Sequence, residues 1–211
     1  GTKNIALGNY ALDALTSGDN NIAIGYAAGG AITTGGSNTL IGRYAGITAT
    51  TVSGNTAVGD NALRVNVAEY NTAVGAFALD SNTTGTTNTA VGYGALDANS
   101  TAEYNTGIGA YALVAATTGS YNTALGRSAG LAITTGTRNV AVGVDTLKAV
   151  TTGVNNVAVG ANALASATAG ETVAIGYAAL TTMTAAVRNT AVGNEALNAN
   201  TTGYNNTAIG Y

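Results

Sequence analysis

Residues Asn189–Asn205 read Asn-Thr-Ala-Val-Gly-Asn-Glu-Ala-Leu-Asn-Ala-Asn-Thr-Thr-Gly-Tyr-Asn, and the whole chain is a run of close variants of this stretch. Its first five residues recur unchanged as Asn55–Gly59, Asn71–Gly75 and Asn88–Gly92. Variants begin at Asn4, Asn21, Asn38, Asn105, Asn122, Asn139, Asn156, Thr172 and Asn206. The glycines closing the string are Gly8, Gly25, Gly42, Gly59, Gly75, Gly92, Gly109, Gly126, Gly143, Gly160, Gly176, Gly193 and Gly210. Ten of the twelve intervals between them are 17 residues and two are 16, a register that chance placement of glycine does not produce. Such a period means stacked units, each too small to bury an apolar face by itself. The short units start at Asn55 and Asn156, 101 residues apart, and the units from Asn21 and Asn122 resemble each other at the same distance. This favours a duplicated block of six units.

Counted from the Asn as position one, the unit is N-T-A-V-G-x-x-A-L-x-x-x-T-T-G-x-x. Position four is always a large aliphatic (Leu7, Ile24, Val58, Ile108 and their equivalents), and position two is Thr, Ile or Val. Side chains two residues apart share a strand face, so positions two and four are expected to face a core. Position three is Ala except at Leu40 and Gly107, which predicts a face pressed close to another backbone and suited to contact with a second chain. An Ala-Leu pair at positions eight and nine, such as Ala62-Leu63 or Ala78-Leu79, is expected to close the other side of the coil. The glycine after Thr-Thr is expected in a turn with φ > 0. No helical period survives, and Gly and β-branched residues recur every few positions, so a helix is excluded.

The expected fold is all-β: a parallel β-solenoid of twelve 17-residue coils, one array over residues 1–211 with units starting near 4, 21, 38, 55, 71, 88, 105, 122, 139, 156, 172, 189 and 206. At ~4.8 Å per coil, twelve coils make a rod on the order of 58 Å long. The asparagine at position one, present in every unit but that of Thr172, should stack into an amide ladder. A residue repeated at every coil reads as structural.

Two segments carry a resemblance. Thr172–Ala179 (TVAIGYAA), with Asn139–Gly143 (NVAVG), resembles the S-V-A-I-G-x-x-A/S repeat of trimeric autotransporter adhesin heads. The full unit Asn189–Asn205 is similar to 17-residue arrays of bacteriophage tail-fibre and related surface-fibre proteins. The likeness covers essentially the whole chain, although adhesin head units are shorter. It implies a left-handed parallel β-roll with three chains side by side. It also implies a structural role as shaft or head of a fibre that is extracellular, on a cell surface or on a virion. The partners expected are copies of the same chain, as a homotrimer or an end-to-end fibre, and a host cell-surface glycan. The chain opens Gly1-Thr2-Lys3-Asn4 already in the pattern and stops part-way through a unit, which suggests a fragment of a longer rod.

Composition narrows function from the other side. The chain has no His and no Cys, which removes Ser-His-Asp and Cys-His catalysis, Cys/His zinc sites and disulfides. Seven Lys+Arg against ten Asp+Glu leave no basic footprint for nucleic acid. No apolar run approaches ~18 residues, so membrane insertion is not expected. Gly126–Gly130 (GRSAG) matches the nucleophile elbow of hydrolases, but no histidine exists to serve as its base. Gly107–Ala112 (GIGAYA) matches a dinucleotide fingerprint without the helix such a loop must open. The carboxylates are scattered, so no metal, cofactor or enzyme activity is expected.

The variable positions hold the remaining information. Tyr10, Tyr44, Phe77 and Tyr111 occupy position seven of alternate units, and Tyr26, Tyr93, Tyr177 and Tyr211 occupy position six. Tyr70, Tyr104 and Tyr121 stand at unit ends, with Arg43, Arg127, Arg138 and Arg188 near them in repeat phase. These three tyrosines are candidates either for a seam between copies or for recognition of an elongated ligand such as a polysaccharide. Threonines at positions two, thirteen and fourteen form rows that offer an alternative function, ice binding by threonine ladders.

Overall fold

The computed structural model describes every residue except 167–169 and 185–186. Thirteen three-residue strands, from Ile5–Leu7 through Thr106–Ile108 to Thr207–Ile209, form one parallel sheet in chain order. Equivalent residues of successive units pair directly, as Ile5 with Ile22, Ala90 with Gly107 and Val157 with Val173. The protein is an all-β parallel β-solenoid of about twelve coils, and no described residue is helical. Bonding between coils continues beyond the sheet. The Leu79 N–H donates to the Ala95 carbonyl (3.0 Å) on one side and the Thr33 N–H to the Thr50 carbonyl (2.8 Å) on another.

The position-five glycines make this stacking feasible. All thirteen have φ between 124° and 142°, a region L side chains avoid. A Cβ on Gly109 would lie 2.5 Å from the Gly126 carbonyl oxygen of the next coil. The glycines after Thr-Thr differ from expectation. Gly35, Gly85, Gly119 and Gly136 do not take positive φ; their constraint is proximity, since a Cβ on Gly136 would meet the Gly153 carbonyl oxygen at 2.5 Å.

The face assignment within the strand is the reverse of the one expected. Position three lies inside: Ala23, Ala57, Ala73, Ala90, Ala124, Ala158 and Ala174 are fully buried. Positions two and four point out, with Val74 36%, Ile108 37% and Leu125 47% exposed. The interior is too narrow for a large side chain from the strand because the opposite wall already fills it. Leu63, Leu79, Leu96, Leu113, Leu147 and Leu164 at position nine reach across from that wall and are completely buried. Each has φ near 50°, the left-handed region. That conformation costs about 1–2 kcal/mol for an L residue, whereas burying a leucine contributes about 1.5–3 kcal/mol. Burial therefore carries position nine.

Exceptions to the pattern occur together. Where position nine is Gly29, Gly46 or Gly130, its leucine volume is supplied from elsewhere. A Cβ on Gly46 would meet Leu40 Cδ2 at 2.8 Å, and one on Gly130 would meet Leu113 Cδ2 at 2.8 Å and Ile133 Cδ1 at 3.1 Å. Leu40, the one leucine in the position-three column, thus fills the space left by Gly46. Leu40→Ala should cost about 2–5 kcal/mol through the cavity it opens, and Gly46→Leu alone should also destabilise by overpacking, about 1–3 kcal/mol. The double variant restores the common pattern, so urea denaturation should find it more stable than either single one.

Candidate functional site

The asparagine ladder closes every coil. Each position-one side-chain oxygen accepts the backbone N–H of the next asparagine, at 2.8–3.1 Å from Asn21 to Asn156. Its Nδ2 donates across the coil to the carbonyl at or near position fifteen, as from Asn105 to Gly119 (2.8 Å) and Asn122 to Gly136 (2.8 Å). The ladder therefore runs chiefly from side chain to backbone. Thr172 keeps the N–H contact to Asn156 at 3.2 Å and turns its hydroxyl to the Gly170 carbonyl. A second amide row, missed in the sequence, lies inside the coil at position twelve: Asn82 Nδ2 donates to Asn66 Oδ1 and Asn99 Nδ2 to Asn82 Oδ1, both at 2.6 Å. Asn82 and Asn99 are fully buried, so they are not glycan acceptors despite their N-x-S/T contexts.

The threonine rows divide by position. At position thirteen the hydroxyls of Thr16, Thr33, Thr83, Thr117 and Thr134 donate to the carbonyl of the next coil at 2.8–3.3 Å and are consumed there. This row ties each coil to the next. On the sheet face, Thr39, Thr56, Thr72, Thr89, Thr106 and Thr123 stand on six successive coils beside the outward aliphatics of position four. No charged residue occurs at position two or four anywhere in the chain. The outer sheet face is a continuous strip of hydroxyls and methyl groups.

Of the proposed recognition residues, Tyr104 and Tyr121 come together and Tyr70 does not join them. The two rings stack with centroids 5.2 Å apart and planes 9° apart, and the Arg138 guanidinium lies over Tyr121 at 6.0 Å. Ring faces in this stack are turned toward one another. Tyr70 lies two coils away and leans over Gly54, whose Cβ would meet its ring at 2.8 Å. Arg43 and Arg127 sit at the other edge of the strand, paired with Asp60 (2.8 Å) and Asp145 (3.0 Å). Arg188 pairs with Glu171 at 2.9 Å.

The position-six and position-seven aromatics form two clusters that the sequence did not reveal. Tyr10, Tyr26 and Tyr44 pack edge to face with centroids 5.6 and 5.4 Å apart, and Phe77, Tyr93 and Tyr111 repeat this at 5.7 and 5.4 Å. The signal was present: where position six is Tyr26 or Tyr93, position seven is the small Ala27 or Gly94, and Tyr111 lies over Gly94. An open depression of about 380 Å³ adjoins the first cluster, lined by Tyr44, Ile47, Asn61 and Arg64.

Among the described residues no group of three or more His, Cys, Asp or Glu could hold a metal ion, and no helix is long and apolar enough to cross a membrane. Comparison of the chain with protein-family models, with curated proteins and with solved structures returned no match. Arg43, Arg64, Arg127 and Arg188 pair with carboxylates of neighbouring coils. Arg43 holds the Asp60 carboxyl below its ordinary range by hydrogen bonding and charge, and Arg64 grips Asp80 through two bonds of 2.7 and 2.8 Å. Asp97, one coil past Asp80, is raised by burial and by the Asp80 charge. Its raised folded value means its contribution to stability is full below the unfolded value of about 3.9 and is lost as pH rises through the folded one. Asp97→Asn should therefore unfold at higher urea than wild type at neutral pH, with the gain vanishing below about pH 4.

Proposed function

We propose that this chain is a rigid structural element, the shaft or head of an extracellular or virion surface fibre, built by side-by-side association of copies. One observation carries the reading: the outer sheet face is an uncharged strip of Thr, Val, Ile and Leu running the length of the rod. Thirteen strands at ~4.8 Å, each about 7 Å wide between positions two and four, give a footprint on the order of 400 Å². A contiguous uncharged strip of this size matches the largest patch of a typical monomer, which often serves binding. This face replaces the alanine column as the seam, because the alanines lie inside. A homotrimer buries three such strips around one axis, and inert paired side chains elsewhere suit a spacer that holds a binding tip away from its base.

A second reading, ice binding, is favoured by the six successive outward threonines from Thr39 to Thr123 in register with aliphatics. Both readings require the same face, so the mass in solution separates them. Light scattering at micromolar concentration should give about three times the 20.5 kDa of the chain. Val74→Lys with Ile108→Lys, both outward, should reduce that mass to the monomer with unchanged circular dichroism. A wild-type monomer that shapes ice crystals and depresses the freezing point would replace the fibre reading with the other one.

A further inference from the structure

The first aromatic cluster differs from the second in what lies at its end. Beyond Tyr44 the surface falls into the depression lined by Ile47, Asn61 and Arg64. The corresponding residues beyond Tyr111 are Val114, Ser128 and Leu131, and they offer neither the amide nor the guanidinium. The geometry points to a binding site for a neutral linear polysaccharide, which we propose lies along Tyr10, Tyr26 and Tyr44 and enters the depression beside Asn61 and Arg64. The site does not depend on the fibre reading.

Four features support this ligand chemistry. Tyr10 and Tyr26 are 60% and 45% exposed, and Tyr44 is half-buried at the lip of the depression. Adjacent planes stand 85° and 83° apart, so the rings meet edge to face and do not cover one another in a parallel stack. Aromatic faces take the C–H faces of pyranose rings. An extended pyranose chain advances close to one coil per sugar, so rings on three successive coils meet successive sugars. Hydroxyl recognition is available at the end of the row. Arg64 commits two guanidinium hydrogens to Asp80, and among the described residues its other hydrogens make no bond within the protein. Asn61 is held by its Nδ2 bond to Asp60 at 3.1 Å.

Charge selects against an anionic ligand. Arg43 is bound to Asp60 through two bonds of 2.8 and 2.9 Å, and its guanidinium lies 5.3 Å from the centre of the Tyr44 ring. Arg64 and Asp80 form the second pair and Asp97 adds a third carboxylate beside them, so the neighbourhood of the depression carries no excess positive charge. Position seven takes positive φ whatever residue stands there, at Ala27, Phe77 and Tyr111 as at Tyr10 and Tyr44. Tyr10 and Tyr44 hold φ of 62° and 59°, a region costly for a bulky residue, while Asn61 and Asn162 occupy the same position of other coils with the polar side chain that best tolerates it.

Native electrophoresis through gels cast with mannan, laminarin or dextran tests the site. The wild-type chain should be retarded by at least one of the three. Tyr26→Ala, at a position of ordinary backbone, and Tyr44→Asn, which keeps a residue suited to positive φ, should each weaken that retardation about tenfold or more in Kd. Tyr93→Ala in the second cluster should change it by less than about twofold. Absence of retardation by all three polymers would overturn the proposal, as would equal binding by wild type and Tyr26→Ala. Equal loss in Tyr93→Ala would mean unspecific adhesion of aromatics and would overturn it too. So would a fall in oligomer mass for Tyr26→Ala by light scattering, which would make the row a seam between copies.

Discussion

Each coil must lie one strand spacing from the next around its entire circumference, and most of the residue choices follow from that constraint. Backbone bonds link coils on the sheet, across the leucine wall and at the threonine corner. Stacked backbones leave no room for a Cβ where the chain bends hardest, hence the glycine column from Gly8 to Gly193. The corner between the last residue of one unit and the first of the next has no backbone partner of its own for the donor of position one. The asparagine oxygen of the preceding coil supplies it, and because this donor is buried, leaving it unpaired would cost about 1–3 kcal/mol per coil.

Period, parallel stacking and the ladder were legible in the sequence because they depend only on spacing and on which residues refuse substitution. The direction of each strand side chain was not. Size suggested that the large aliphatics face inward, but what decides the matter is the volume inside a coil already spanned by Leu63 or Leu96 from the other wall. Only alanine fits opposite them. The exceptions held the correct answer: Leu40 replaces Ala in the same coil in which Gly46 replaces Leu, an exchange that makes sense only if both point into one core.

Side-chain neighbours on the surface were legible only when they shared one column. Tyr104, Tyr121 and Arg138 end consecutive units, and their stack follows directly from the repeat. Tyr10, Tyr26 and Tyr44 alternate between two columns, so their contact depends on how far a ring at position six reaches toward a ring at position seven. Repeat phase alone does not measure that reach. Arg64 and Asp80 share position ten of adjacent units, so their grip also follows from the repeat.

That all the bonds between coils run along the rod has a mechanical consequence. A pull along the axis stretches every backbone bond of one coil-to-coil interface together, with the asparagine and threonine contacts loaded beside them. Bonds arranged in this way share force and do not open one after another, as they would if a hairpin were peeled from its turn. The rod therefore resists tension up to a sharp limit and then parts cleanly between two coils. Because every interface repeats nearly the same contacts, lengthening the rod adds reach without adding a weak link.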